Sequence, residues 1–429
     1  MAGIAAYIIN MRVVITGLGV CAPNGTSIPE FTDALKNGRS GLAHFPELER
    51  LNFSCQIGGM PTISEEKKRD YFTELQLRNF DSDGILYGVI AGIDALKDAD
   101  IDVGGDEALF DLGIIMGAGT TSVAKFRESI YQIDEGKVRR LGSTSVPQTM
   151  ASGVSAYLGG MTGAANMVTT NSSACATGTE AVLLGYERIK AGKATQVLCG
   201  STSDGGPYIW GGFDAMKVTS YKHNDSPEKA AGPMSEQASG FIPGSGAGAV
   251  VLESLNSALK RGVKIYGEVL GGAVNSGGQR NGGSMTAPNS EAVQRCIKGA
   301  FKDAKVSGDA IDYINGHLTA TVKDPVEIEN WCTALGRKGS DFPYINSLKG
   351  MTGHCLAASG SIEIVSTILQ LQGNFVFPNV NCDVIHPEIV ALVSEKCVPR
   401  VAVETSLKTV AKSSFGFGDV NACVIFGEY

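Results

Sequence analysis

A single cysteine, Cys175, stands among small residues in the stretch TNSSACATGTEAVLLGYERIKAG, Thr170 to Gly192. From Ala181 onward the apolar residues recur at helical spacing and Gly192 supplies a stop, so the segment reads as loop, Cys175, then helix. A thiol at a helix N-terminus meets unpaired N–H groups and the positive end of the helix dipole, which stabilise a thiolate and can hold an oxyanion. A buried cysteine serving as a small hydrophobe fits the same stretch, and this segment alone leaves both readings open. Among the five histidines, His44, His223, His317, His354 and His386, two occupy distinctive strand-end contexts. His317 closes AIDYINGH and precedes LTAT, where a side chain at a strand's carboxyl end faces a crevice. His354 lies in SLKGMTGHCLAASG, a loop of small residues entering a helix, five residues after Lys349. Each histidine alone is more often structural. Two histidines, a lysine and a helix-terminal cysteine in separate strand-end loops together suit nucleophilic catalysis.

The elements that must position these groups alternate strand and helix. MRVVITG, LGIIMGAG, TQVLCGS, GAVVLES, KIYGEVLGGAV, AIDYING, YINSLKG and NACVIFGEY read as strands. SIPEFTDALKNG, GILYGVIAGIDALKDA, SEAVQRCIKGAFKDA, PVEIENWCTAL and Ser359 to Gln370 read as helices. No linker-like tract divides them, which predicts one α/β unit of two similar halves, residues 11–266 with the cysteine and 267–429 with both histidines. No clear short repeat is visible. Residues 1–10, MAGIAAYIIN, read as an N-terminal extension with either Met1 or Met11 as the start. They lack the pattern of a signal peptide and are too few to span a bilayer. GLGVCAP invites a dinucleotide-binding reading as G-x-G-x-x-A, but Pro23 argues against the helix that must follow, and a tight turn after a buried strand is the plainer expectation.

At 429 residues and 43% hydrophobic the chain can bury a large core, and its net charge of −8 argues against a general nucleic-acid binder. Local basic patches remain, as at Lys137, Arg139 and Arg140. The ten cysteines include no CxxC pair, so no zinc ribbon or thioredoxin-like motif is present; the expectation is a cytoplasmic protein in a reducing compartment.

The chain resembles the β-ketoacyl-acyl carrier protein synthases, condensing enzymes of fatty-acid and polyketide synthesis. The resemblance rests on VVITGLGVCAPNG, SSACATGTEA, INGHLTAT, SLKGMTGHCLAASGSIE and SSFGFGDVNA, five motifs in family order between Met11 and Tyr429. It implies the thiolase fold, two similar halves in a five-layered α-β-α-β-α core. It implies Cys175 as the acyl-accepting nucleophile, and His317 and His354 as the pair that binds the malonyl thioester carbonyl. Lys349 matches the family's active-site lysine, and Asp324 and Glu363 match supporting carboxylates that could pair with it or fix histidine tautomers. Phe417 matches a gate whose N–H joins that of Cys175 in an oxyanion hole, flanked by the mobile Gly416 and Gly418. Thr120 falls near the family's acyl pocket at a dimer interface. Substrates would arrive on the phosphopantetheine of acyl carrier protein, with no metal and no permanently bound cofactor. The expected assembly is a homodimer, or a heterodimer with a chain-length-factor-like ketosynthase, without membrane insertion.

Several positions depart from the family pattern. Leu318 replaces a glycine after the first histidine, Gly232, Met234, Ser235, Ala238, Ser239 and Ser245 replace larger or charged residues, and Asp419 puts an acid beside the gate. These changes point toward a specialised polyketide or polyene enzyme as well as an ordinary elongase. Other readings are a chain-length or scaffolding subunit with little turnover and a dinucleotide-dependent reductase. Retention of Cys175, both histidines and Lys349 favours the catalytic partner.

Overall fold

Consecutive residues Val250, Val251 and Leu252 enter different hydrophobic cores, as do Val197 and Leu198, and Ile425 and Phe426. Such strands are apolar on both faces because helices cover both faces of the sheet. The computed structural model describes residues 12–429; the expected extension at 1–10 lies outside the described residues.

The first half contains β1 (Val13–Cys21), α1 (Asp83–Asp98), β2 (Leu112–Ala118), β3 (Val168–Thr169), α2 (Thr177–Lys190), β4 (Gln196–Ser203) and β5 (Gly246–Ser254). The second contains β6 (Gly267–Ser276), α3 (Ser290–Ala304), β7 (Tyr313–Asn315), α4 (Asp324–Leu335), β8 (Tyr344–Asn346), α5 (Ser359–Gly373), β9 (Thr409–Gly416) and β10 (Val420–Gly427). Ten strands run in the order β8-β7-β9-β10-β6-β1-β5-β4-β2-β3. Outward from the seam the first half pairs β1, β5, β4, β2, β3 as antiparallel, antiparallel, parallel, parallel. The second half repeats that pattern as β6, β10, β9, β7, β8. Antiparallel pairing of β1 with β6, Val13 to Val269 and Ile15 to Gly267, joins them. Helix α1 covers one outer face, α3 and α4 the other, and α2 and α5 pack together between the halves. This is the five-layered thiolase arrangement.

The duplication is visible in topology although no repeat is legible in the sequence. Thr177-Gly-Thr-Glu-Ala opens α2 and Ser359-Gly-Ser-Ile-Glu opens α5, each after a short 3-10 turn that contains one positive-φ residue, Ala174 (49°) or Leu356 (52°). At their crossing a Cβ on Gly178 would strike the backbone of Ser361, and one on Gly360 would strike Thr179. Glycine therefore lets two helix starts lie side by side.

Gly17 and Gly19 do not form the expected turn. Both lie inside β1, where a Cβ would meet the carbonyl oxygens of Ala95 and Ala91, so they admit close packing of α1. No helix among the described residues is long and apolar enough to cross a membrane, and all ten cysteines are unpaired.

Gly178→Val should lower stability by at least about 2 kcal/mol in a urea titration, because the backbone it meets cannot yield as a flexible side chain can. An unchanged midpoint would show that the helices can separate.

Candidate active site

The loop before α2 is tied to itself. Thr177 Oγ1 donates to the carbonyl of Ala174 (2.6 Å) and accepts from Ser173 N (2.9 Å), while Ser173 Oγ donates to Glu180 (2.7 Å). With Ala174 held at positive φ, Cys175 is presented, half-buried, to a cavity of about 650 Å³. Burial pushes its thiol up to about 11, opposed by the charge of Lys349 and by the backbone N–H of Phe417 directed at the sulfur. Burial thus opposes the thiolate that the helix terminus would stabilise.

His317 follows β7. Its backbone N–H donates to Glu327 Oε1 (2.7 Å), and its carbonyl accepts from Lys349 Nζ (2.6 Å). His354 is fixed by backbone bonds to Ile242 O (2.7 Å) and from Gly244 N (2.8 Å), so the segment with several departures from the family pattern holds it through main-chain groups. His354 Nδ1 accepts from Leu356 N (3.1 Å) and lies 2.9 Å from Ser359 Oγ, the first residue of α5. An accepting Nδ1 leaves the ring proton on Nε2. The two imidazoles stand edge to face with centroids 5.3 Å apart, and Phe241 and Phe415 flank them. Burial, reinforced by Lys349, holds both well below the usual histidine range, so each is a neutral ring with one N–H to donate. Ligand atoms of Cys175, His317 and His354 all lie within 4.8 Å of one another. That spacing would also fit a small metal ion, to which we assign no role.

Glu363 pairs with Lys349, as expected, and both are buried. Asp324 does neither of the things expected of it. It is buried at the start of α4 and accepts from Met234 N (2.8 Å), Thr319 N (2.9 Å) and Ala320 N (3.1 Å), bracing the loop behind His317. No carboxylate reaches either imidazole among the described contacts; His317 Nδ1 has no partner. Glu327 escaped the sequence reading, although it lies three residues after Asp324 in the same first turn. It accepts from both His317 N and Leu318 N, and burial raises it to about 7. Lys412 was also missed; it contacts Glu363 from β9.

Phe417 lines the cavity and stacks obliquely near Phe213 at 6.1 Å. Gly416 packs against the Cys175 backbone, and Gly418 takes φ +90°. Asp419 is buried at φ +61° and accepts from Gln279 N and Asn289 N (2.9 Å each), tying the loop after Phe417 to the cavity wall. Leu318, in place of glycine, is buried in the core of the second half. Thr120 is not brought to the cavity; it is exposed two residues beyond β2.

Residues 10–258 match the family "Beta-ketoacyl synthase, N-terminal domain" and 266–383 match its C-terminal domain. The chain belongs to the β-ketoacyl synthase family. It is 33% identical over 423 residues to 3-oxoacyl-[acyl-carrier-protein] synthase 1 of Haemophilus influenzae, covering 97% of this chain and 99% of that protein. It is 31% identical over 419 residues to synthase 2 of Vibrio harveyi, covering 97% and 98%. Among solved structures, a β-ketoacyl synthase from Burkholderia phymatum superposes with TM-score 0.87 at 28% identity, covering 97% and 99%. The ishigamide ketosynthase/chain length factor gives 0.86 at 26%, with the same coverage. In this β-ketoacyl synthase Cys175 comes from the first half and both imidazoles from the second.

Alkylation of Cys175 by iodoacetamide, with Cys175→Ala as the blank, should accelerate about tenfold per pH unit from about pH 6 to 9 without a plateau. A plateau below about pH 8 would contradict the raised thiol.

Proposed function

We propose that this chain catalyses decarboxylative condensation of an acyl group with malonyl-acyl carrier protein. One observation carries the reading: a thiol sulfur and two neutral imidazoles, all within 4.8 Å, lining one cavity of about 650 Å³. The acyl thioester of a carrier phosphopantetheine is attacked by Cys175 Sγ. The thiol proton passes to a neutral imidazole and then to the departing carrier sulfur. The N–H groups of Cys175 and Phe417 stabilise the oxyanion of each acyl-transfer step.

Malonyl-carrier protein then enters, and His354 Nε2–H with the N–H of His317 donates to its thioester carbonyl. Neutral donors suit this oxygen because the C–C bond to the carboxylate breaks as carbon dioxide leaves and its electrons become an enolate. The enolate carbon attacks acyl-Cys175, the C–S bond breaks, and the 3-ketoacyl product leaves on the carrier protein two carbons longer. Cys175 leaves as a thiolate and takes up a proton from solvent, since its first proton departed with the carrier thiol. No redox step occurs, so the chemistry asks for no cofactor of the enzyme's own.

Exposed Lys217, Arg280 and Lys323 stand at or beside the cavity wall, suited to an acidic carrier protein; Lys137, Arg139 and Arg140 are exposed away from it. Phe126, Ile130, Tyr131, Ile133, Val138 and Val146 expose apolar surface on the segment that follows Thr120. That surface suits a second ketosynthase-type chain, and Thr120 would then lie near the interface. We place the enzyme in the cytoplasm, where its carrier substrates are made. Kinship in fold with a ketosynthase/chain length factor also suits a chain-length subunit, but the intact Cys-His-His set favours turnover.

Incubation with acyl-carrier proteins should give an intact-mass acyl adduct that Cys175→Ala lacks. If no acyl group loads, even with a candidate partner subunit added, the chain-length reading replaces the catalytic one.

A further inference from the structure

Two lysines converge on Glu363. Lys412 lies in β9, five residues before Phe417, and is fully buried. Its Nζ lies 2.9 Å from Glu363 Oε2 as an ion pair rather than an aligned hydrogen bond. It donates to Ser414 Oγ (3.1 Å) and to the carbonyl of Ser413. Its neighbour on the adjoining parallel strand is Asn315, whose side-chain oxygen is buried without a partner, as is Ser413 Oγ. A buried ammonium without solvent must be compensated by such fixed oxygens. Lys349 already occupies the other oxygen of Glu363 and the carbonyl of His317, so one carboxylate faces two cations. The charged and titratable groups facing Lys412 are Glu363, Lys349, Glu327, His317, His354 and Cys423.

We propose that Lys412 is a positioning residue: it fixes Glu363 from the strand side so that Glu363 can hold Lys349 on the carbonyl of His317. Its catalytic meaning rests on the condensing reading above. Its charge also has a direct effect, because a nearby cation disfavours imidazolium. Removing it makes protonation of His317 and His354 easier, so both should titrate at higher pH.

The test uses the full-length enzyme with ¹⁵N-labelled histidine. In Lys412→Met the His317 and His354 signals should titrate at higher pH than in the wild type, while those of His44, His223 and His386 stay in place. Malonyl decarboxylation should fall at least about tenfold, whereas acyl loading of Cys175 should fall less than about threefold. Glu363→Gln should absorb most of the decarboxylation effect when the two changes are combined, since Lys412 acts through Glu363. A folded Lys412→Met with wild-type histidine titration overturns the proposal. So does an equal fall in loading and decarboxylation, which would mark a merely structural lysine. Should Lys412→Met not fold, Lys412→Arg, which keeps the charge but displaces it, must lower decarboxylation more than loading, and equal effects overturn the proposal. A wild type that neither loads nor decarboxylates would instead refute the condensing reading, and the histidine titration would still decide the role of Lys412.

Discussion

The close crossing of the two central helices is the constraint on which the site depends. Gly178 and Gly360 let α2 and α5 approach backbone to backbone, so the turns leading into them lie next to each other. One turn carries Cys175 and the other follows His354. A duplicated half-fold thus supplies two nearly equivalent positions, one presenting a thiol and the other an imidazole. Neither half could assemble the pair alone, because each contributes only one of the two turns. The positive-φ residues Ala174 and Leu356 cost conformational energy that surrounding hydrogen bonds must offset.

Electrostatics then separates what the geometry brings together. Burial disfavours charge on Cys175, His317 and His354 alike, which favours their neutral forms. The ionic groups, Lys349, Glu363 and Lys412, lie behind them and hold main-chain carbonyls and one another. Glu327 and Asp324 brace the same His317 loop from the other side by accepting backbone N–H groups. Charge is thereby used for positioning, while the thiol and the two imidazoles that line the cavity are favoured in their uncharged forms. Such preorganised dipoles in a dry site stabilise developing negative charge without reorganising when it forms.

Most elements were legible because apolar runs alternate at strand and helix spacing, and Cys175, His317, His354 and Lys349 were identifiable because five motifs of the family stand in order. Two similar halves were expected, but their element-by-element correspondence was not legible, since it resides in strand order and in two unusual backbone angles rather than in shared side chains. Lys412 was hidden because a lysine in a strand ordinarily points to solvent, and only the packed structure shows that both faces of β9 are buried. Asp324 was legible as a site residue but not in its role, which depends on which backbone groups the following helix brings to it. The carboxylate of Asp419 likewise engages two backbone N–H groups of the cavity wall, which its place in the sequence does not disclose.

The account assigns carbon dioxide release to the imidazoles and acyl transfer to the cysteine, and measuring carbon dioxide released from malonyl-carrier protein separates them. It predicts that Cys175→Ala keeps release within about tenfold of the wild type, whereas His354→Ala loses about a hundredfold or more. Retained release in His354→Ala together with its loss in Cys175→Ala would contradict the division of labour on which the account stands.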